Sequence, residues 1–229
     1  MDKTRVAHEM ARKTRAEALA TRQGLLDAAR DCFHEYGVAC TSLEMICSKA
    51  GYTRGALYWH FKNKTEVLEA LVSREHDPFI ERLRRTTSAE RTTPIVDLRS
   101  ALLVSFKEVA EDVQLRNMME IMLRNDLSVE SQAMRAMQRN LLTEELDILS
   151  SALTRAAEIG QLKEGVDVRA ASRSLLSCLI GVLYSAMLEP ALYELERDGM
   201  EAIDAILSVY ATPGAFEPGS PAGQLPPLG

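Results

Sequence analysis

Thr41-Ser42-Leu43-Glu44-Met45-Ile46-Cys47-Ser48-Lys49-Ala50-Gly51-Tyr52-Thr53-Arg54-Gly55-Ala56-Leu57-Tyr58-Trp59-His60-Phe61 is the stretch that decides the architecture. It holds two short helical runs, each opened by a hydroxyl residue, with a glycine between them. Thr41 followed three residues later by Glu44 has the form of a capping box, in which Thr41 caps the first turn and Glu44 reaches back. That helix extends to Ala50 and stops at Gly51. Thr53 then caps a third helix, Arg54 to Phe61. Upstream, Leu26, Ala29, Phe33 and Tyr36 mark one face of a first helix, from about Ala16 to Tyr36, closed by Gly37. A longer helix followed by two short ones across a tight turn has the proportions of a helix-turn-helix. The last helix of that unit presents its N-terminal residues to base edges in the major groove.

Helical periodicity continues outward from this unit. Asn63-Lys64-Thr65-Glu66 repeats the capping logic with asparagine and opens a fourth helix with Val67, Leu68, Leu71 and Val72 inward. The polar segment Thr86 to Thr93 reads as a loop. Beyond it, a helix from about Pro94 turns Ile95, Leu98, Leu102, Phe106 and Val109 inward, with proline in the first turn. Another carries Leu115, Met118, Met119 and Met122. A long one, about Val129 to Ile159, has Met134, Met137, Leu141, Leu142, Leu146, Leu149 and Leu153 on its stripe and ends at Gly160. Asp167 caps the next, which extends to Glu189 before Pro190. The last spans about Leu192 to Tyr210, with Met200, Ile203, Leu207 and Tyr210 inward. From Thr212 onward, five Pro and four Gly leave too little apolar surface to fold.

The expectation is an all-α fold of about nine helices, with no alternating strand pattern anywhere. Residues 1–15 form a flexible basic arm and residues 16–62 the three-helix DNA-binding domain. Residues 63–211 form a helical ligand-binding and dimerisation domain, and residues 212–229 a disordered Pro/Gly-rich tail.

Composition narrows the function classes. Of 229 residues, 46% are hydrophobic and 26% charged, which excludes a wholly disordered or collagen-like chain. The most apolar run, Leu175 to Leu188, is broken by Ser177 and Ser185 and is shorter than the ~20 residues a bilayer span needs. The charged stretch from Asp2 to Arg15 offers no apolar secretory region. A cytoplasmic chain with no membrane partner is expected. Cys32, Cys40, Cys47 and Cys178 form no CxxC pair and find no histidine at zinc-ligand spacing, so they read as small, mostly buried residues. No metal and no cofactor are expected. The net charge of −6 hides an asymmetry: residues 1–64 carry +4 and the remainder −10. A basic head on an acidic body suits a DNA-contacting segment joined to a sensing or assembly segment.

Within the third helix Arg54 is the one side chain at the N-terminus able to contact guanine O6 and N7 together. Gly55 and Ala56 are small and admit close approach to the groove floor. Thr53, Tyr58, His60, Lys62 and Lys64 supply donors for phosphates, which fix register without reading sequence. Thr41 and Ser42 add hydroxyls at a positive helix end. Trp59 joins this set, although Tyr58 and Trp59 also suit a plain core.

In the body, Met118, Met119, Met122, Met134 and Met137 lie on two consecutive helices. Methionine suits a wall that adapts to several ligands better than a uniquely packed core. With Leu103, Phe106, Leu141, Leu176, Ile180 and Tyr184 they would line a mostly apolar cavity. Asn125, Gln138, Asn140 and His76 are the polar candidates, His76 otherwise reading as a surface or capping histidine.

Thr53 through Lys64, with Thr41-Ser42-Leu43, Ile46 and Ala50-Gly51 upstream, resembles the recognition-helix signature of the TetR family of bacterial repressors. Met10-Ala11-Arg12-Lys13-Thr14, Glu17-Ala18-Leu19, Thr21-Arg22-Gln23 and Leu26-Asp27 are similar to its multidrug-efflux branch, the AcrR- and TtgR-like proteins. The likeness covers about residues 10–72, with fragments such as Met119-Glu120-Ile121 and Gln138-Arg139-Asn140-Leu141 beyond. It implies a homodimer on double-stranded operator DNA, released by a hydrophobic drug-like inducer and controlling an efflux operon. It also implies a dimer interface of the last two helices, here Leu179, Gly181, Val182, Ser185, Ala186, Ile203 and Leu207, where the small residues allow close packing.

Two departures stand out. Residues 1–9 precede the usual start, and Pro78 is predicted to kink or stop the fourth helix. A regulator sensing a metabolite such as an acyl thioester is the alternative on the same fold. A small all-α enzyme is remote, because GxSxG, HExxH, P-loop and GxGxxG motifs are missing and His8, His34, His60 and His76 lie apart from acidic clusters.

Overall fold

The computed structural model describes residues 3–88, 90–123, 132–217 and 219. Among the described residues there are nine α-helices and no strand, apart from one isolated bridge between Leu162 and Ala211. The helices are α1 (Lys3–Cys40), α2 (Leu43–Ala50), α3 (Arg54–His60), α4 (Lys64–Arg85), α5 (Pro94–Glu111), α6 (Val113–Leu123), α7 (Gln132–Glu158), α8 (Val168–Leu188) and α9 (Leu195–Tyr210). Most predicted starts and stops fall within a few residues of these. The first helix is the exception. It begins at Lys3, so the backbone assigned to a flexible arm is helical. Gly37 leaves the helical region at φ 79°, ψ 157°, a conformation that favours glycine and sets the end of the regular helix where the sequence placed it.

The chain divides into two compact units. One contains α1, α2, α3, α4 as far as Arg74, and α6 from Asn117. The other contains the remainder of α4, α5, most of α7, α8 and α9. The predicted kink at Pro78 does not appear, for α4 continues through it to Arg85. What proline removes is an N–H, and with it the bond that the Arg74 carbonyl would otherwise accept.

In the first unit, Leu25, Leu26, Ala29 and Phe33 of α1, Ile46 of α2, Leu57 of α3 and Val67, Leu68 and Leu71 of α4 are all buried, and α1 packs against α2 and α3. Tyr36, expected on this inward face, is exposed, because the chain turns at Gly37 just beyond it. Arg74 donates to Gln23 and lies 2.9 Å from Asp27, holding α4 along α1. His34 of α1 lies 3.0 Å from Glu120 of α6.

In the second unit α9 packs against both α5 and α8. Ile95, Leu98, Leu102, Phe106 and Val109 of α5 and Met200, Ile203 and Leu207 of α9 are buried as predicted. Leu142, expected on the α7 stripe, is exposed. Close approach of α5 and α9 depends on Gly199, where a Cβ would come 2.8 Å from the Phe106 ring. A buried ion pair crosses the same contact. Arg99 donates from Nε to Asp204 at 2.7 Å and from Nη2 at 3.0 Å. The segment after α7 ties both ends of this bundle. The Gln161 side chain spans the Thr92 carbonyl and the Ile95 N–H at the start of α5, while Lys163 donates from Nζ to the Ser208 and Val209 carbonyls at the end of α9.

Two further expectations need correction. The segment from Thr212 does not begin as a disordered tail: Thr212 donates to the Gln161 carbonyl, Ala215 is buried and the Gly219 N–H bonds Asp204 at 2.8 Å. A few backbone donors and one methyl hold a segment whose composition has little apolar surface. The apolar run ending at Leu188 also belongs to a 21-residue helix, α8, long and apolar enough by composition to cross a bilayer. Here α8 is part of a helical bundle, capped by Asp167, whose carboxylate accepts the Ala170 N–H.

Breaking a buried ion pair from one side strands the other charge. Arg99→Met is expected to lower unfolding stability by about 3–5 kcal/mol, and Arg99→Met combined with Asp204→Leu to recover most of that loss. Urea unfolding of the three proteins checks both.

Candidate nucleic-acid interface

The face containing α2 and α3 is organised by the end of α1. Helix C-termini leave carbonyls without intrahelical donors. Two side chains serve them here. The Thr41 hydroxyl is 3.1 Å from the Cys32 carbonyl and 2.8 Å from that of Gly37. The Lys64 ammonium donates to the Val38, Ala39 and Thr41 carbonyls at 2.6, 3.0 and 2.9 Å. Both residues were expected to meet phosphates, and both turn inward instead. Thr41 is only 2% exposed, and the three N–H bonds of Lys64 already have acceptors. The cap of α2 is therefore Ser42, one residue later than predicted, with its Oγ accepting the Met45 N–H at 3.2 Å. Glu44 does not close a capping box with Thr41. It lies 3.3 Å from the Arg54 guanidinium.

The α3 cap is as expected, with Thr53 Oγ1 accepting the Ala56 N–H at 3.2 Å. Leu57 is the buried anchor of this short helix, and the rest of its face is open. Arg54, Tyr58 and Trp59 are 68%, 54% and 71% exposed, counting the side chain of Arg54. Exposure on that scale removes the alternative of Tyr58 and Trp59 as core residues, and large apolar surface in water marks a contact surface. Gly55 is not required by internal packing, since a Cβ there would meet only Thr53 Oγ1 at 3.8 Å. His60 packs edge-on to Trp59. Burial, then the charge of Arg22, pushes its imidazolium below the ordinary value, so near neutral pH it offers an N–H and no charge. Lys62 is fully in solvent beside Glu66, which also accepts the Lys62 N–H, while Asn63 caps α4 through the Glu66 N–H. Arg22 lies over the Phe61 ring, 5.2 Å from its centre.

Sequence reasoning missed Glu44 as a partner of Arg54, having absorbed it into a cap. It missed Lys64 as a clamp because lysine on a basic segment reads first as a phosphate donor. The long sequence separation of Lys64 from its acceptors gave no local signal.

The residues expected to line a cavity are divided between the units. Met118, Met122 and Met134 belong with the first, the first and last of them buried there. Leu103, Phe106, Met137, Gln138, Leu141, Leu176, Ile180 and Tyr184 belong with the second. Phe106 is a packing residue against Gly199, and Tyr184 is 48% exposed on the outside of α8. His76 is no surface histidine: it lies 2.8 Å from Glu145, with both side chains largely buried, and edge-on to Phe79. Asn125 lies outside the described residues, and Asn140 is exposed.

Four of the seven residues expected at a dimer surface, Leu179, Ala186, Ile203 and Leu207, are buried within the chain. A helix apolar all round gives no sequence cue to which stripe faces inward. The outward stripe of α8 runs from Arg169 and Arg173 through Ser177, Gly181, Tyr184 and Leu188, with Val182 and Ser185 beside its second half. The cysteines are unpaired, burial pushing the Cys32, Cys47 and Cys178 thiols up, and no cluster able to hold a metal occurs among the described residues.

Comparison with known proteins agrees with this geometry. Residues 25–71 match the bacterial regulatory proteins of the tetR family, and residues 93–212 match the C-terminal region of MAATS-type transcriptional repressors. The structure of SmeT, the repressor of the Stenotrophomonas maltophilia multidrug efflux pump SmeDEF, is similar at 50% identity and a TM-score of 0.83, over 90% of this chain and 97% of that one. A SmeT–triclosan complex is similar at 51% identity and a TM-score of 0.88, over 91% and 100%. The transcriptional regulator TtgR of Pseudomonas putida is 30% identical over 201 residues, 87% of this chain and 96% of its own.

Lys62 and Lys64, two residues apart, have opposite expected behaviour. Lys64→Ala uncovers three carbonyls and is expected to lower stability by about 1–3 kcal/mol, whereas Lys62→Ala leaves it within about 0.5 kcal/mol. Thermal unfolding of both variants decides the assignment.

Proposed function

The chain belongs to the tetR family of bacterial regulatory proteins, and from that premise we propose that it is a ligand-responsive transcriptional repressor of a multidrug efflux operon. Two copies set their α3 helices into successive major-groove faces of an operator, at the ~34–36 Å spacing that a two-fold site requires, and occlude a promoter. The carrying observation is the open face of α3: an arginine at its first turn, a glycine with no internal reason to be one, and the chain's single tryptophan standing in solvent. Arg54 reads a guanine edge. Thr53, Tyr58, Trp59, His60, Lys62 and Ser42 hold the backbone and fix register. The protein works in the cytoplasm, where its DNA is.

The body carries the ligand-binding and dimerisation roles. What supports a hydrophobic inducer is the likeness to SmeT, seen in complex with triclosan, together with methionines that suit an adaptable wall. A compound that binds better to a conformer with the wrong α3 spacing weakens DNA binding by its difference in affinity for the two states. The partner copy docks on the outward stripe of α8, at Ser177, Gly181, Tyr184 and Leu188. Gly181, where a Cβ would touch nothing within the chain, leaves room for close approach.

Fluorescence anisotropy on the DNA upstream of the protein's own gene, at fixed salt, tests the function. The wild type is expected to prefer this duplex over random DNA, triclosan to reverse the binding, and Arg54→Ala to lose roughly tenfold or more of the preference. Equal binding of both duplexes overturns the reading. Binding untouched by triclosan or other efflux substrates moves the inducer to an endogenous metabolite. Tyr184→Glu, a charge on the α8 stripe, is expected to convert a dimer to a monomer in sedimentation equilibrium. An unchanged dimer puts the interface elsewhere.

A further inference from the structure

The open face of α2 and α3 carries one residue that does not belong on a surface built for a polyanion. Glu44 occupies the second position of α2, half-exposed, beside the residues proposed to approach phosphate. Its carboxyl is held below the ordinary carboxylate value by its own backbone N–H and then by the charge of Arg54, so it is an anion in the neutral region. A carboxylate there repels phosphate, and an exposed ion pair contributes little to stability. Its place in the first turn favours α2, but many residues serve a first turn, and affinity for DNA does not account for a carboxylate beside Arg54.

The geometry gives it a different role. Glu44 and Arg54 start two helices whose first turns are separately fixed, α2 by Ser42 and α3 by Thr53, each cap bond 3.2 Å long. The carboxylate lies 3.3 Å from one terminal nitrogen, Nη2, of the guanidinium. Arginine presents five N–H donors in a rigid planar fork, and a carboxylate paired with one end of it biases where that plane lies while leaving the donors open to bond elsewhere. Resting on the DNA-reading function proposed above, we propose that Glu44 is a positioning residue for base readout: it fixes the Arg54 fork before contact and sets the selectivity of the interface at the expense of its non-specific affinity. Without it the arginine is free to swing to the nearest phosphate, where it holds DNA of any sequence.

The test compares wild type, Glu44→Gln, Arg54→Ala and the double variant. The probes are a duplex that the wild type selects from a random-sequence library and a shuffled duplex of the same composition, at one salt concentration. Both positions are in solvent, so all four proteins are expected to fold, and circular dichroism confirms it. Glu44→Gln is expected to strengthen binding to the shuffled duplex and to lower the ratio of selected to shuffled affinity by roughly fivefold or more. In the Arg54→Ala background the same substitution leaves the ratio unchanged. A second selection with Glu44→Gln relaxes the preference at the base that Arg54 reads and not at others.

Two results overturn the assignment. If Glu44→Gln raises both affinities by the same factor, the carboxylate is only a repulsive charge. If the ratio falls equally with and without Arg54, it acts through another group. A wild type that selects no sequence from the library removes the DNA-reading function itself, an outcome distinct from either.

Discussion

Two side chains gather five backbone carbonyls at and just after the end of α1, and the reading head depends on those contacts. Gly37 breaks the helix, and the chain turns immediately into α2, so these oxygens lie close to the corner from which both short helices depart. One hydroxyl from Thr41 and one ammonium from Lys64 reach all five. The ammonium comes from the first turn of α4, so the same bonds fasten α4 to that corner. Leu57 then needs only to fill the remaining space for α3 to be set in place with its other face in water. A head of this size has little buried surface to spend on orientation, and polar bonds with directional geometry supply it.

The body solves a similar problem with different means. The approach of α9 to α5 is set by what is missing at Gly199, where the Phe106 ring occupies the position a Cβ would take. At that short separation an arginine and an aspartate can meet out of water in a two-bond geometry. Such a pair adds little net stability over an apolar replacement, but it tolerates few alternative registers between the two helices. The Gln161 and Lys163 segment fixes their ends. The bundle is thus specified by a few polar bonds laid across an ordinary apolar core.

The head and the body differ in what they leave on the surface. On α3 the exposed groups are an arginine, a tyrosine and a tryptophan. On α8 they are two arginines in its first half, then small residues, a tyrosine and a leucine. The first set suits a charged, planar partner whose edges accept and donate hydrogen bonds. The second is the face proposed above for a partner copy. The proposed positioning role of Glu44 belongs with the first set, since discrimination among sequences depends on the orientation of a guanidinium and attraction to phosphate does not.

Much of this was legible in the chain itself. Apolar spacing of three and four residues marks a helix wherever it occurs, and Ser, Thr, Asp and Asn before such runs, with Gly after them, mark the ends, because capping is local chemistry. The helix-turn-helix, the inward faces of α5 and α9, and the caps at Thr53, Asn63 and Asp167 follow from residues within a turn of one another. The remainder depends on distance. Whether Thr41 or Ser42 caps α2 is decided by where the Thr41 hydroxyl finds carbonyls. Whether Lys64 meets a phosphate or a helix end is decided by residues more than twenty positions away. The side of α8 that faces inward is decided by α9, and no period in a uniformly apolar helix can say so. Pro78 marks the opposite limit, a strong local breaker carried inside α4 by the structure around it. Local sequence fixes torsions and caps, whereas a side chain's partner across the fold exists only once the helices have packed.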